Sequence, residues 1–224
     1  MIVAHRGLHM PASPSPENSL PAFIAAAHAN LRWVEADVWP SAENLPVVIH
    51  DPTLERINGT SDEVRKYTMD QLQAFGLAPL AQVVTALNEL TAPGLVVEIK
   101  PRINRPFLEA VIRTLSRYDG TCMVQSFHDD NIVRTWAHDH SMHTAMLVDT
   151  ADDLKKAVDR GWPFINAHYS LIEPALVAQL HSRGRRIGAW TANHPDDILR
   201  LVAMGIDMLI TDDPVLAMRI AASR

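Results

Sequence analysis

At 224 residues with 47% apolar side chains, the chain has the size of one α/β barrel, about 200–250 residues, and enough apolar material for a full core. Its net charge of −6 excludes a nucleic-acid binder, which carries a basic face and a high pI. A lone cysteine, Cys122, excludes an intrachain disulfide framework and implies a reducing, cytoplasmic setting.

The opening MIVAHRG has neither the basic nor the long apolar region of a secretory signal. No apolar run approaches the roughly 18 residues of a membrane span, so no stable membrane insertion is expected. The first strand-like run is IVAH at 2–5, followed by WVEAD at 33–37, LVVEIK at 95–100 and CMVQSF at 122–127. TAMLV at 144–148, FINAH at 164–168, RIGAWT at 186–191 and DMLIT at 207–211 complete a set of eight. In CMVQSF, Cys122 reads as a small buried hydrophobe rather than a nucleophile.

Helix-like runs separate these strands, from NSLPAFIAAAHAN after the first to PVLAMRIAAS after the last. Asn18 or Ser19 can cap the first helix with Pro21 in its opening turn, and Asp149 or Thr150 can cap another. Gly161, Gly184 and Gly205 follow helices as stops. Eight strand–helix repeats point to an α/β fold, a (β/α)8 TIM barrel formed by residues 1–224 as one domain. A doubly wound open sheet is the alternative, since periodicity does not show closure. The alternation breaks after the second strand, where PVVIHD reads as the return arm of a short hairpin with Glu43-Asn44 at its turn.

The chemistry-bearing residues gather at strand ends. Glu35 and Asp37 are two apart on one strand and share a face; Glu98 and Lys100 do the same on another. Buried like charges at that spacing are costly unless a cation neutralises them. Three carboxylates at a barrel mouth form a hard-oxygen site for a divalent cation, Mg²⁺ or Ca²⁺. His5 closes the first strand, His50 comes from the hairpin loop, and Arg6 and Lys100 offer phosphate-binding charge. Two histidines beside a cation can take a proton from an attacking oxygen and return one to a leaving alcohol.

The cluster His138, His140 and His143 precedes a strand, which puts it on the face opposite the mouth. His9, His28, His181 and His194 read as ordinary surface residues, while His128 and His168 follow strand ends and stay weak candidates.

HRG at 5–7, PENS at 16–19, EADV at 35–38, VVIHD at 47–51 and VEIK at 97–100 occur in order, followed by QSF at 125–127, AWTAN at 189–193 and GIDMLITDDP at 205–214. This ordered set resembles the glycerophosphodiester phosphodiesterase family. The resemblance implies a TIM barrel hydrolysing a small-molecule glycerophosphodiester to glycerol 3-phosphate and an alcohol, in some members through a cyclic glycerol phosphate. It implies His5 and His50 as the acid–base pair, Glu35, Asp37 and Glu98 as metal ligands, and Arg6 and Lys100 on the phosphate. Trp190 and Phe127 are placed to flank the glycerol or its substituent, or to pack the core.

Glu43-Asn44 replaces the family's usual Gly-containing turn, the loop at 8–19 is long and Pro/Ser-rich, and the path after Asp51 is short. The alcohol group therefore does not transfer from the resemblance, and neither an oligomeric state nor a native metal follows from it. Two alternatives stand beside this reading: a related barrel phosphodiesterase acting on lysophospholipids, and a non-catalytic phosphodiester-binding barrel.

Overall fold

The computed structural model describes residues 1–9, 15–102 and 104–223. In chain order the elements are β1 (Ile2–Ala4), α1 (Leu20–His28), β2 (Trp33–Pro40), β3 (Pro46–Val48), α2 (Glu55–Asn58), α3 (Met69–Ala74), β4 (Ala78–Pro79) and α4 (Leu80–Asn88). There follow β5 (Gly94–Ile99), α5 (Arg105–Leu115), β6 (Cys122–Ser126), α6 (Asp129–His138), β7 (His143–Val148), α7 (Ala151–Asp159) and β8 (Phe164–His168). The last are α8 (Pro174–His181), β9 (Arg186–Trp190), α9 (Pro195–Met204), β10 (Met208–Thr211) and α10 (Pro214–Ala222). Of the Pro/Ser-rich loop at 8–19, residues 10–14 lie outside the described residues.

Hydrogen-bonded neighbours run β1-β10-β9-β8-β7-β6-β5-β2, and β2 returns to β1 through Ala4 and Val34. That last pairing closes eight parallel strands into a TIM barrel and excludes the open sheet. The short antiparallel strands β3 and β4 lie outside the ring, on the far end of β2.

Strand alternation sorts the side chains into two layers. On β2, Val34, Ala36 and Val38 are fully buried against the helices, among Phe23, Leu87 and Phe107. The alternate residues face the barrel axis. Its floor is apolar: Val3, Val96, Met123, Phe164, Met208 and Ile210 pack together beside Trp33. Above it Asn166 Nδ2 donates to Gln125 Oε1 at 2.8 Å. β9 has a glycine at this level because a Cβ on Gly188 would lie 2.1 Å from Asn166 Oδ1.

The helix boundaries follow side-chain caps. Ser19, Asn104, Thr150 and Asp213 each accept from a backbone N–H in the first turn of α1, α5, α7 and α10, each worth about 1 kcal/mol. Among the described residues, no helix is long and apolar enough to cross a membrane.

The excursion after β2 is richer than a hairpin. β2 overruns the ring, turns through Asn44 in the left-handed region (φ 61°) and pairs with β3. β4 then adds a third strand through Val47 and Pro79. Val47, Ile49, Leu54, Val64, Met69 and Leu72 form a small core of their own, which anchors α3 through Met69 and Leu72 and takes in Leu54 at the N-cap of α2.

Candidate active site

Glu35, Asp37 and Glu98 converge at the C-terminal end of the barrel axis and are 1%, 1% and 8% exposed. Each offers an oxygen within 4.8 Å of the others'. At an effective dielectric near 20, a like-charge pair at that range costs roughly 3–4 kcal/mol. Two cations answer three carboxylates. Arg6 Nε lies 3.1 Å from Asp37 Oδ2, while Lys100 Nζ lies 3.3 Å from Asp37 Oδ1 and 2.9 Å from Glu98 Oε1. Asn18 clamps Asp37 from the α1 side, donating from Nδ2 at 2.8 Å and accepting the Asp37 N–H at 3.2 Å.

The balance stays short by one positive charge, and the acidities show it. Burial pushes Glu35 well above the usual carboxylate range, with Asp37 and Glu98 adding to it. Burial, then the Asp37 charge, raises Glu98 to about 7. Burial also acts to raise Asp37, but Lys100, Arg6 and the Asn18 hydrogen bond outweigh it and hold Asp37 below its ordinary value.

These residues fit a hard divalent cation. The donor set is all oxygen, and Asp37 Oδ1 and Glu98 Oε1 are buried without an aligned hydrogen bond, Lys100 being their charge partner only. Without a cation, protons take its place. The folded state then holds protons that the unfolded chain releases above the ordinary carboxylate pKa, so metal-free stability falls as pH rises toward about 7. A divalent cation bound there would displace those protons. Adding the cation should therefore raise Tm more at pH 8 than at pH 6; an equal rise at both would contradict proton–cation exchange.

Arg6 enters this site through a tight turn after β1. It adopts the left-handed region (φ 57°), and its N–H donates to Glu35 Oε2 at 3.1 Å. Gly7 follows at φ 83°, where a Cβ would sit 2.8 Å from the Ala22 backbone. Strain of this kind persists only where surrounding contacts over-determine it, and here α1 and the three carboxylates of Glu35, Asp37 and Glu17 do so.

The overrun of β2 delivers His50. The chain folds back so that the Ile49 N–H donates to Asp37 O at 3.1 Å, and Trp39 Nε1 donates to His50 O at 2.9 Å. The imidazole Nδ1 lies 2.8 Å from Asp51 Oδ1. Arg56 on α2 bonds Asp51 and reaches Glu17 Oε1 at 2.8 Å, which Arg6 Nη1 also reaches at 2.8 Å. Glu17 and Arg56 thus tie the His50 loop to the Arg6 turn. Partial burial holds His50 below the usual imidazole pKa; Asp51 opposes this, while Lys100 and Arg6 reinforce it.

Closure of the ring delivers the partner of His5. The His5 N–H donates to Thr211 O at 3.0 Å, so the residue after β1 meets the residue after β10. His5 Nδ1 lies 2.6 Å from Asp212 Oδ1, and Asn193 Nδ2 donates to Asp212 Oδ2 at 2.6 Å. Burial acts to raise Asp212, but the facing imidazoles of His5 and His9 and the Asn193 bond hold it well below its ordinary value. An ionised Asp212 fixes the proton on His5 Nδ1 and leaves Nε2 for transfer.

A family model for the glycerophosphoryl diester phosphodiesterase family matches residues 5–216. The chain belongs to this family. A glycerophosphodiester phosphodiesterase of Caldanaerobacter subterraneus subsp. tengcongensis is 25% identical over 232 residues, covering 96% of this chain and 94% of the relative. One from Bacillus altitudinis is 25% identical over 243 residues, covering 98% and 97%. A phosphodiesterase of Oleispira antarctica, solved in complex with the product sn-glycerol-3-phosphate, shares the fold at a TM-score of 0.86 and 21% identity, covering 100% of this chain and 96% of that one.

Within the phosphodiesterase mouth the remaining aromatic residues form one group. Trp190 meets Phe127 edge-on at 5.4 Å and His168 edge-on at 5.5 Å, and its Nε1 donates to Asn166 O at 3.0 Å. His128 instead precedes α6 and lines a groove with Arg102 and Asp149. His140 bonds Trp136 O, away from the mouth, and no cluster of ligand atoms forms at 138–143 among the described residues. The Cys122 thiol is pushed up to about 12 by burial, which removes it as a thiolate.

Sequence reasoning passed over Asp212, Asn18, Glu17 and Arg56 as individual site residues, and it took His9 for a surface residue. His9 is half-buried beside His5 and Asp212. Asp212→Asn should lower kcat by about 10²-fold with KM little changed, because the amide no longer fixes the His5 tautomer. A steady-state comparison showing unchanged kcat would remove Asp212 from the account.

Proposed function

We propose that the chain hydrolyses glycerophosphodiesters to glycerol 3-phosphate and an alcohol, with a divalent cation on Glu35, Asp37 and Glu98 and with His5 and His50 as the acid–base pair. One observation carries the reading: two histidines, each bonded through Nδ1 to its own aspartate, flank a single buried three-carboxylate cluster. Family membership supports it, as does the glycerol 3-phosphate bound to the Oleispira antarctica phosphodiesterase.

His50, with its lowered pKa, is neutral near pH 7 and takes the proton of the attacking oxygen as it bonds to phosphorus, that of water or of the neighbouring glycerol hydroxyl, with water later opening the cyclic phosphate in the second case. The phosphorus–oxygen bond to the alcohol then breaks, and His5 gives the leaving oxygen its proton from Nε2. A divalent cation at the carboxylates would draw charge from the phosphoryl oxygens. Arg6 and Lys100 add positive charge on the same side; burial works against the Lys100 charge, but Asp37 and Glu98 keep it protonated. Trp190 and Phe127 offer the apolar wall for the glycerol or its substituent.

The direct check is ³¹P NMR of the metal-supplied enzyme with glycerophosphocholine and, separately, with lysophosphatidylcholine. Glycerol 3-phosphate appearing from the first is the expected result. Turnover of the lysophospholipid alone, with a cyclic phosphate as product, would replace the reading with the lysophospholipid one.

A further inference from the structure

A second set of ligand-type side chains stands beside the carboxylate cluster, and the proposed reaction uses only part of it. His5, His9 and Asp212 each offer one atom, and all lie within 4.8 Å of one another. His9 comes from the turn after β1, two residues beyond Gly7, and has no role in the proton transfers described. Its Nε2 is closed off from solvent, approaches Asp212 Oδ1 at 3.4 Å and makes no aligned hydrogen bond. A buried imidazole nitrogen directed at a carboxylate without bonding it leaves a gap of the kind a cation bridges.

The donor chemistry separates this set from its neighbour. Glu35, Asp37 and Glu98 are all oxygen and suit a hard cation. Two imidazoles and one carboxylate form a nitrogen-rich set of the composition that takes Zn²⁺ with one open position. Two ligands on a tetrahedral Zn²⁺ at about 2.0–2.1 Å stand about 3.3 Å apart. The His9–Asp212 separation, 3.4 Å, already matches this, while the His5–Asp212 hydrogen bond, 2.6 Å, has to open.

We propose that His5, His9 and Asp212 form a second cation site that takes Zn²⁺ and inhibits the enzyme by capturing His5. The inhibitory consequence rests on the acid–base role given to His5 above; the binding itself does not. On Zn²⁺ entry the His5 Nδ1–H···Asp212 bond breaks, the Nδ1 proton passes to solvent, and the Nδ1 lone pair forms the bond to the metal. Starting from the doubly protonated acid form of His5, Nε2 then carries the only remaining ring proton, and its loss would leave an imidazolate. His5 can no longer be protonated and deprotonated in turn, so the catalytic cycle stops while substrate binding is spared.

The test uses the full chain with the carboxylate cluster saturated by Mg²⁺. Zn²⁺ is titrated into initial-rate assays on glycerophosphocholine, and its binding stoichiometry is measured by competition with a colorimetric chelator. Wild type should bind one more Zn²⁺ than His9→Gln. Relative to its own metal-free rate, His9→Gln should require at least about tenfold more Zn²⁺ for half-inhibition, with kcat rather than KM carrying the wild-type effect. His9→Asn is the second variant should the first misfold, and the same expectations apply to it.

Equal Zn²⁺ sensitivity of wild type and variant would overturn the proposal, since the metal would then act at Glu35, Asp37 and Glu98. Equal stoichiometry would overturn it as well. A folded wild type that turns over no glycerophosphodiester would instead sink the function proposed above, and the difference in stoichiometry would still decide the site.

Discussion

His50→Ala should leave the barrel folded and cut kcat by roughly 10²–10⁴-fold, the usual reach of a general acid or base. The fold is expected to survive because the imidazole, 34% exposed, supports nothing but its bond to Asp51. The loop keeps its other ties: Ile49 N–H to Asp37 O, Trp39 Nε1 to His50 O, and Arg56 to Asp51 and Glu17. KM should change little, since Arg6 and Lys100, the proposed phosphate partners, and the carboxylates proposed to hold the cation are all untouched. Circular dichroism with steady-state kinetics checks both halves. A folded mutant within tenfold of wild type would take His50 out of the mechanism.

Glu35→Gln carries the second large effect, and its two consequences have opposite signs. Metal affinity should fall by at least about 10–100-fold, the range lost when even a supporting partner of a metal ligand is removed. Metal-free stability should hold or rise. Burial already drives Glu35 toward its neutral form, and a neutral isostere removes a buried charge, while its amide oxygen can still accept the Arg6 N–H. Calorimetric titration of Mg²⁺ or Ca²⁺ and melting curves of the metal-free proteins measure the two. An unchanged metal titration would contradict the ligand assignment; a large metal-free loss of Tm would mean that the carboxylate is structural.

Much of this site was legible because strand alternation is a local rule. Glu35 with Asp37, and Glu98 with Lys100, share faces by spacing of two alone, and β2 and β5 are neighbours in the ring. Ring closure was not local. Asp212 meets His5 only because β10 pairs with β1, joining residues 207 apart in sequence. The signal available was positional: Asp212 stands one residue past the last strand, as His5 stands one past the first.

His9 looked like a surface residue for the same reason, its partner lying at the other end of the chain. Inside the excursion, α2, α3 and β4 are too short for periodicity to register. One helix signal there went unread, the capping box from Thr68 to Gln71. The strained Arg6 left no trace in composition, though the glycine after it did.

Release of glycerol 3-phosphate from glycerophosphocholine, measured after chelation and again with Mg²⁺ or Ca²⁺ restored, tests the central claim. The account predicts loss of release on chelation and its return with one or both cations. Undiminished release from fully chelated, folded protein would contradict the catalytic cation at Glu35, Asp37 and Glu98, and no release under any condition would contradict the reaction itself.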